Sequence, residues 1–260
     1  MKKSLFIALI GVGLALGGCG KKKEEVAKVV AADALERKKE LAANIFTAVN
    51  KRDYENAQRM ISDFIDFYPG DPEIPSFKLM IADVKYEQEK FAEAYEAYQH
   101  FQEYYPADQH AEYAAYKSAH AKFNQANHVA CDSTPIEKTL ELCRSYLSRK
   151  DYLRYRPQME DLARTCERNL LDKELYVVNS YMTQNRFASA RHRLANIAER
   201  FDLSMEGKAH YLYCKAKLAK AENNDGELAA AMDDLHTGFK QSQFTAMADR
   251  LVGKKSVLFG

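Results

Sequence analysis

The chain has 260 residues, with 38 basic and 37 acidic side chains and a formal net charge of +1. This length allows one or two domains with a real core, and the balanced charge argues against a nucleic-acid partner, which would require a basic surface. With 11 glycines and only 6 prolines, and with abundant leucine, alanine, glutamate and lysine, the composition favours helices.

The N-terminal segment has the pattern of an export signal. Met1-Lys2-Lys3 is positively charged, and a largely apolar run follows from Leu5 to Leu16. The run is shorter than the roughly 20 residues that a membrane-spanning helix needs. A basic start before a short apolar core is typical of a secretory signal peptide.

A single cysteine marks the end of this run. Leu16-Gly17-Gly18-Cys19 resembles the lipobox of bacterial lipoproteins, in which the thiol receives a diacylglycerol, the preceding residues are removed and the new amino end is acylated, palmitate being a typical chain. The resemblance implies a signal peptide over residues 1–18 and a lipid anchor at Cys19. Two or more acyl chains anchor stably, because each buried CH₂ contributes about 0.8 kcal/mol. An ordinary signal with an incidental cysteine is the alternative.

The charged residues after Cys19 are expected to form a solvated linker over residues 19–30. Lys21-Lys22-Lys23 is followed at once by Glu24 and Glu25, which neutralise most of a basic lipid-binding patch. Gly20 stands where lipoproteins retained in the inner membrane of enteric-type bacteria carry aspartate, so the resemblance implies sorting to the outer membrane.

Two later stretches, 53–73 and 90–110, repeat each other at an offset of 37 residues. A fixed period of this size is typical of arrays of paired helices. Apolar residues recur in each stretch at steps of three and four, and Tyr-Pro ends each helix because the residue before proline avoids helical dihedrals. The matching positions are Tyr54 and Phe91, Ala57 and Ala94, Phe64 and Phe101, and Pro69 and Pro106.

The segment between these two helices, residues 76–89, is predicted to be a partner helix with Phe77, Met80, Ile81 and Val84 facing inward. The same pattern continues with less regularity further along the chain. We predict further helices that start at His110 and at Thr134-Pro135, and helical stretches over 158–184, 185–201, 208–220 and 227–239.

These elements predict an all-α fold, an α-solenoid of about five tetratricopeptide-like helix pairs over residues 31–240. Residues 241–260 are predicted to be a C-terminal tail. Because a single repeat cannot bury its own apolar face, the pairs must stack. We expect the stack to present a groove for an extended or helical segment of another protein.

The sequence favours no catalytic or metal-binding chemistry. It has no phosphate-binding glycine loop, no Gly-x-Ser-x-Gly and no His-Glu-x-x-His, and its seven histidines include no i, i+4 pair. We therefore expect a non-enzymatic protein without a metal or another cofactor. A cell-wall hydrolase with a helical fold is the enzymatic alternative.

Four cysteines besides Cys19 are Cys131, Cys143, Cys166 and Cys214. An exported protein reaches a compartment in which disulfides persist, and four cysteines allow three pairings. The sequence does not choose among these pairings, and buried free thiols are equally compatible with it.

Tyrosine is unusually frequent, with 16 copies, whereas tryptophan is absent. Packing within repeats accounts for most of these tyrosines. Tyr113 and Tyr116 lie three residues apart and therefore share a helix face. We select them as candidates for partner binding, because a phenol offers both apolar area and a hydrogen bond.

Several short motifs resemble the BamD family, the tetratricopeptide-repeat lipoproteins of the outer-membrane β-barrel assembly machinery. Residues 112–116 look like the acidic-Tyr-x-x-Tyr opening of the family's third repeat, and Asp132-x-x-Pro135 looks like the entry to its next helix. Residues 170–174, followed by 185–187, resemble the long helix and turn of the fourth repeat. Ala119, in place of a glycine, departs from the pattern.

The resemblance covers about residues 30–205 and implies a lipid-anchored outer-membrane scaffold that faces the periplasm. Its N-terminal repeats would bind a C-terminal strand of unfolded outer-membrane proteins. Its C-terminal repeats would dock on the barrel-forming subunit, with Arg193 at that contact, and so promote folding and insertion. A generic repeat lipoprotein that acts as an adaptor in cell-envelope or cell-wall assembly is the alternative.

Overall fold

The computed structural model describes residues 20–126, 132–201 and 205–253. Regular structure within these ranges consists of eleven α-helices and no strand, which confirms the predicted all-α class. The helices are α1 (Gly20–Asn50), α2 (Tyr54–Phe67), α3 (Ile74–Glu87), α4 (Phe91–Tyr104), α5 (Ala111–Gln125), α6 (Thr134–Ser148), α7 (Arg156–Thr183), α8 (Phe187–Arg200), α9 (Met205–Ala221), α10 (Asp225–Gly238) and α11 (Gln243–Leu251). Helices α2 to α10 correspond to the helices predicted one by one, and α1 completes the first of five pairs.

The chain divides into two compact units between Ile74 and Pro75. In the first unit α2 packs on the second half of α1, and its buried residues follow the predicted face. Lys38 on α1 also pairs with Asp71 in the loop after α2, at 2.6 Å between Nζ and Oδ2. This hydrogen bond raises the pKa of Lys38 and lowers the pKa of Asp71. The buried side chains of α2 are Ala57, Ile61 and Phe64.

The second unit contains successive clusters of buried side chains, each shared by neighbouring helices. One cluster joins α3, α4 and α5, and the next joins α5, α6 and α7. A third cluster joins α7, α8 and α9, and a fourth joins α9, α10 and α11. Within this unit each helix pair therefore buries its apolar face against the following helices, as a stacked repeat requires.

The turns inside four of the pairs share one backbone geometry. The residue before each N-cap has a positive φ of 55–59°, and the next N–H bonds back to a carbonyl of the preceding helix five residues earlier, as Lys90 N does to Lys85 O at 3.0 Å. Such a left-handed residue ends a helix by satisfying its last carbonyls. The four residues are Arg52, Glu89, Asn185 and Asn223. Arg52 and Glu89 are 37 positions apart, so the 37-residue repeat of the sequence is also a repeat of backbone conformation.

Three predictions about element positions need correction. The linker predicted over residues 19–30 is helical from Gly20 onward, because lysine, glutamate, alanine and valine continue without a glycine or proline break. In the predicted tail, 241–260, α11 packs on α9 and α10. Ser242 caps α11 by accepting the Phe244 N–H at 3.2 Å, and Phe244, Ala248 and Leu251 recur at steps of three and four, a short helical pattern that the prediction of a tail left out. On α3 the inward residues include Leu79 and Ala82, whereas Met80 and Ile81 are only half-buried.

Three of the four later cysteines lie in the described ranges, and all three are buried free thiols. Burial raises the pKa of Cys143 and of Cys166 to about 12, and the pKa of Cys214 to about 11. These cysteines are therefore protonated packing residues at neutral pH. Cys131 and the predicted lipidation site Cys19 lie outside the described residues. None of the described helices is long and apolar enough to cross a bilayer.

Candidate functional site

Helix α5 occupies the most enclosed position in the second unit, because every one of its side chains is buried or half-buried. The predicted residues Tyr113 and Tyr116 both lie on this helix and are half-buried. They contact groups from α3, from α4 and from the loop between α6 and α7. This arrangement is the strongest candidate site in the described part of the chain.

A carboxylate on α3 is the polar centre of the site. Asp83 Oδ1 accepts hydrogen bonds from the hydroxyls of Tyr98 at 2.6 Å and Tyr113 at 2.8 Å. Burial raises the pKa of Asp83, and the two phenols oppose that shift. Burial and the adjacent carboxylate also raise the pKa of both phenols. The tyrosines therefore remain neutral hydrogen-bond donors.

A lysine from α5 supplies positive charge beside this carboxylate. Lys117 Nζ lies 3.4 Å from the ring centroid of Tyr86, and the Tyr86 hydroxyl accepts a hydrogen bond from Asn124 Nδ2 at 3.0 Å. Burial lowers the pKa of Lys117, whereas the negative charges of Asp83 and Glu87 raise it. Cation–π attraction stabilises an ammonium over an aromatic face, so Lys117 is held in place from two sides.

Aromatic rings form the second part of the site. Tyr155, the residue before α7, stacks on Tyr116 with ring centroids 4.4 Å apart and an angle of 13° between the rings. Tyr113 lies 6.1 Å from Tyr155, and His120 lies 4.6 Å from Tyr116. We call the whole assembly the tyrosine site, and define it as Asp83, Tyr98, Tyr113, Tyr116, Lys117, His120 and Tyr155.

One polar atom of the tyrosine site has no partner. His120 Nε2 is buried and makes no hydrogen bond, and within the described ranges no other buried side-chain nitrogen or oxygen lacks a partner. Burial lowers the pKa of His120, and the charge of Lys117 adds to the shift. An unsatisfied buried group costs about 1–3 kcal/mol, so a ligand that bonds to His120 would recover this cost.

Five members of the tyrosine site were not selected from the sequence: Asp83, Tyr98, Lys117, His120 and Tyr155. Asp83 gave a usable signal, because it is a single carboxylate inside the apolar stretch Met80–Val84. Tyr155 gave none, since it lies in a loop and reaches Tyr116 only through the packing of α6 and α7 against α5. The described residues include no group of three or more His, Cys, Asp and Glu side chains that could hold a metal ion.

The third predicted residue, Arg193, lies elsewhere. It is on α8, and its Nη1 is 3.0 Å from Glu174 Oε2 on α7. Glu174 also pairs with Arg200 at 3.5 Å. Arg193 lines a shallow cavity of about 560 Å³ together with Tyr181 and His192. The structure therefore brings Tyr113 and Tyr116 together and leaves Arg193 in a separate surface.

Comparison with models of known protein families identifies the family of the chain. The family described as "YfiO: Outer membrane lipoprotein" matches residues 36–232, which is well over half of the chain. The chain belongs to the YfiO family of outer-membrane lipoproteins. The matched range contains every residue of the tyrosine site and Arg193. Membership identifies the protein as an envelope lipoprotein.

Among solved structures, the chain is similar to a tetratricopeptide repeat protein from Parabacteroides merdae ATCC 43184. The sequence identity is 10% and the TM-score is 0.29, with 83% of this chain and 98% of that chain covered. Among curated proteins the comparison gives no match.

Proposed function

We propose that this protein is a periplasm-facing scaffold of the outer-membrane β-barrel assembly machinery, with a role like that of BamD. In this role it binds unfolded outer-membrane proteins and the barrel-forming subunit, promotes folding and insertion, and breaks no covalent bond itself. YfiO-family membership supports the setting in the envelope. The motifs at residues 112–116 and 132–135 support the more specific assignment.

The observation that carries the proposal is the tyrosine site. Stacked phenols offer apolar area with hydroxyl groups at the edge, which suits aromatic and aliphatic side chains of an extended segment. The unpartnered His120 Nε2 suits a polar group of that segment. We propose that the site receives the C-terminal strand of an unfolded outer-membrane protein, while acyl chains on Cys19 keep the scaffold at the membrane.

A second surface is proposed for the barrel-forming subunit. Arg193 is partly exposed, and its pairing with Glu174 leaves other guanidinium N–H groups available for a carboxylate on a partner. Because this surface lies on α8, away from the tyrosine site, the two partners would bind through separate residues.

A direct binding measurement tests the proposal. The probe is a fluorescein-labelled synthetic peptide with the sequence of the last strand of an outer-membrane β-barrel, titrated against the mature protein. We expect Tyr116→Ala to weaken binding about tenfold, or about 1.4 kcal/mol, because it removes the ring that stacks on Tyr155. The matched control is Tyr104→Ala on α4, whose side chain is 67% exposed and lies outside the site. Failure of the wild type to bind, or an equal loss in the control, would refute the peptide-binding role.

The generic-adaptor alternative is compatible with the YfiO-family match as well. Affinity capture from native membranes separates the two. The proposed function predicts a partner with a membrane barrel and tandem periplasmic domains, and Arg193→Glu should reduce its recovery. Recovery of cell-wall proteins alone would favour the adaptor. Release of fragments from peptidoglycan by the purified protein would instead favour the hydrolase.

A further inference from the structure

The loop between α6 and α7 carries Tyr155, and one carboxylate on α5 binds this loop. Glu112 Oε1 accepts a hydrogen bond from the backbone N–H of Arg154 at 2.6 Å. The same oxygen accepts the hydroxyl of Tyr146 at 2.5 Å. The Tyr146 oxygen in turn accepts the backbone N–H of Tyr155 at 3.1 Å. Glu112 therefore fixes two successive amides of the loop, one directly and one through Tyr146.

The parts of this network differ in how firmly they are held. Tyr146 is 2% exposed and packs beside Tyr152, with ring centroids 5.1 Å apart. The loop is open to water, since Leu153 is 66% exposed. Arg156, the first residue of α7, donates to the carbonyl of Leu147 on α6 and to the carbonyl of Arg149 at the start of the loop. Glu112 adds the link between the loop and α5.

Glu112 and Tyr116 are four residues apart on α5 and therefore lie on the same face of the helix. The carboxylate holds the backbone at residues 154 and 155, and one helical turn further along the ring of Tyr116 meets the ring of Tyr155. Hydrogen bonds to a charged acceptor are about twice as strong as neutral ones. The backbone link thus fixes the position of the ring without touching it.

We propose that Glu112 is a positioning residue of the tyrosine site, which holds the α6–α7 loop so that Tyr155 closes the site against Tyr113 and Tyr116. The effect on ligand binding rests on the proposed function. The effect on the loop does not, and it can be measured without any ligand.

The first test is hydrogen exchange of backbone amides in the mature protein, resolved by residue. Glu112→Ala should speed exchange of the Arg154 and Tyr155 amides by about tenfold or more, because both lose their acceptor or its support. Tyr146→Phe should expose the Tyr155 amide and leave the Arg154 amide protected. Glu112→Gln retains an acceptor oxygen and should restore most of the protection. The control is Glu160→Ala, an exposed carboxylate on α7. Unchanged exchange at both amides in Glu112→Ala would overturn the proposal.

The second test follows the ring and the ligand. The chain has no tryptophan, so Tyr155→Trp introduces a single tryptophan, whose fluorescence can be excited selectively over that of the tyrosines. Acrylamide quenching of this fluorophore should increase when Glu112→Ala is added and stay constant when Glu160→Ala is added. With the labelled strand peptide, Glu112→Ala and Tyr155→Ala should each weaken binding about tenfold, and the double variant no further, as expected for coupled residues.

The outcomes separate the two proposals. If the wild type does not bind the peptide, the proposed function fails, and exchange and quenching still decide the role of Glu112. If Glu112→Ala exchanges faster and yet binds the peptide as tightly as the wild type does, the positioning role in binding is wrong. Rescue of both exchange and binding by Glu112→Gln supports it.

Discussion

Replacement of Asp83 by alanine should destabilise the second unit strongly, because this side chain satisfies two phenols at once. The hydroxyl of Tyr98 belongs to a side chain that is 0% exposed, so it would lose its acceptor without gaining water. Tyr113 is half-buried and can turn toward solvent. Hydrogen bonds to charged groups contribute about 1.5–3 kcal/mol, and an orphaned buried group costs about 1–3 kcal/mol.

A second effect works in the opposite direction. Burial raises the pKa of Asp83, so the folded protein stabilises the ionised carboxylate less well than water does. Removing the carboxylate therefore offsets part of the stability that is lost with its hydrogen bonds. We therefore expect Asp83→Ala to lower the free energy of unfolding by about 2–3 kcal/mol. Asp83→Asn keeps an acceptor oxygen and removes the charge, so it should change stability by less than about 1 kcal/mol.

Urea unfolding followed by far-UV circular dichroism measures the effect. With a slope of about 1–3 kcal/mol per molar urea, the midpoint for Asp83→Ala should fall by roughly 1 M. The double variant Asp83→Ala/Tyr98→Phe should be less unstable than the sum of the single variants by about 1.5 kcal/mol, because no buried hydroxyl is then left unpaired. Tyr104→Phe, on an exposed ring of the same helix as Tyr98, should shift stability by less than about 0.5 kcal/mol. A wild-type midpoint for Asp83→Ala, or strict additivity in the double variant, would refute the role assigned to Asp83.

Two further predictions concern other positions. Because the pKa of His120 is lowered in the fold, the unfolded chain binds its proton more tightly, and stability should fall as the pH drops below the ordinary histidine value of about 6.5. His120→Phe should reduce this acid-side loss, as seen in urea midpoints at roughly pH 7.5 and pH 5.5, and an unchanged loss would exclude His120 as its source. Glu89 adopts φ 59°, a left-handed conformation that costs about 1–2 kcal/mol for a residue with a side chain. Glu89→Gly should therefore raise the free energy of unfolding by about 0.5–1 kcal/mol, after the extra chain entropy of glycine is included. Glu93→Gly, inside α4, should lower it. Thermal unfolding compares the two variants, and destabilisation by Glu89→Gly would contradict this account of the turn.

The repeat architecture could be predicted from the sequence because its signals are local. Apolar residues at steps of three and four fix which face of α2 and of α4 is buried, and a proline after each helix limits its length. The same local information places the start of α6 at Thr134-Pro135, where Asp132 Oδ1 accepts the Thr134 N–H at 2.9 Å. Helix α11 was missed although Phe244, Ala248 and Leu251 follow helical spacing, because nine residues give only two turns of pattern; its packing on α9 and α10 was visible only in the structure.

The candidate site could be predicted only in part. Tyr113 and Tyr116 are three residues apart, so the sequence alone determined that they share a face of one helix. Only the tertiary structure decided which groups meet them there. Asp83 lies 30 residues before Tyr113, and Tyr155 lies 39 residues after Tyr116. Contacts over such separations depend on how the helices stack, and stacking depends on the combined packing of many side chains. Helical periodicity, in contrast, is a property of each short segment of sequence.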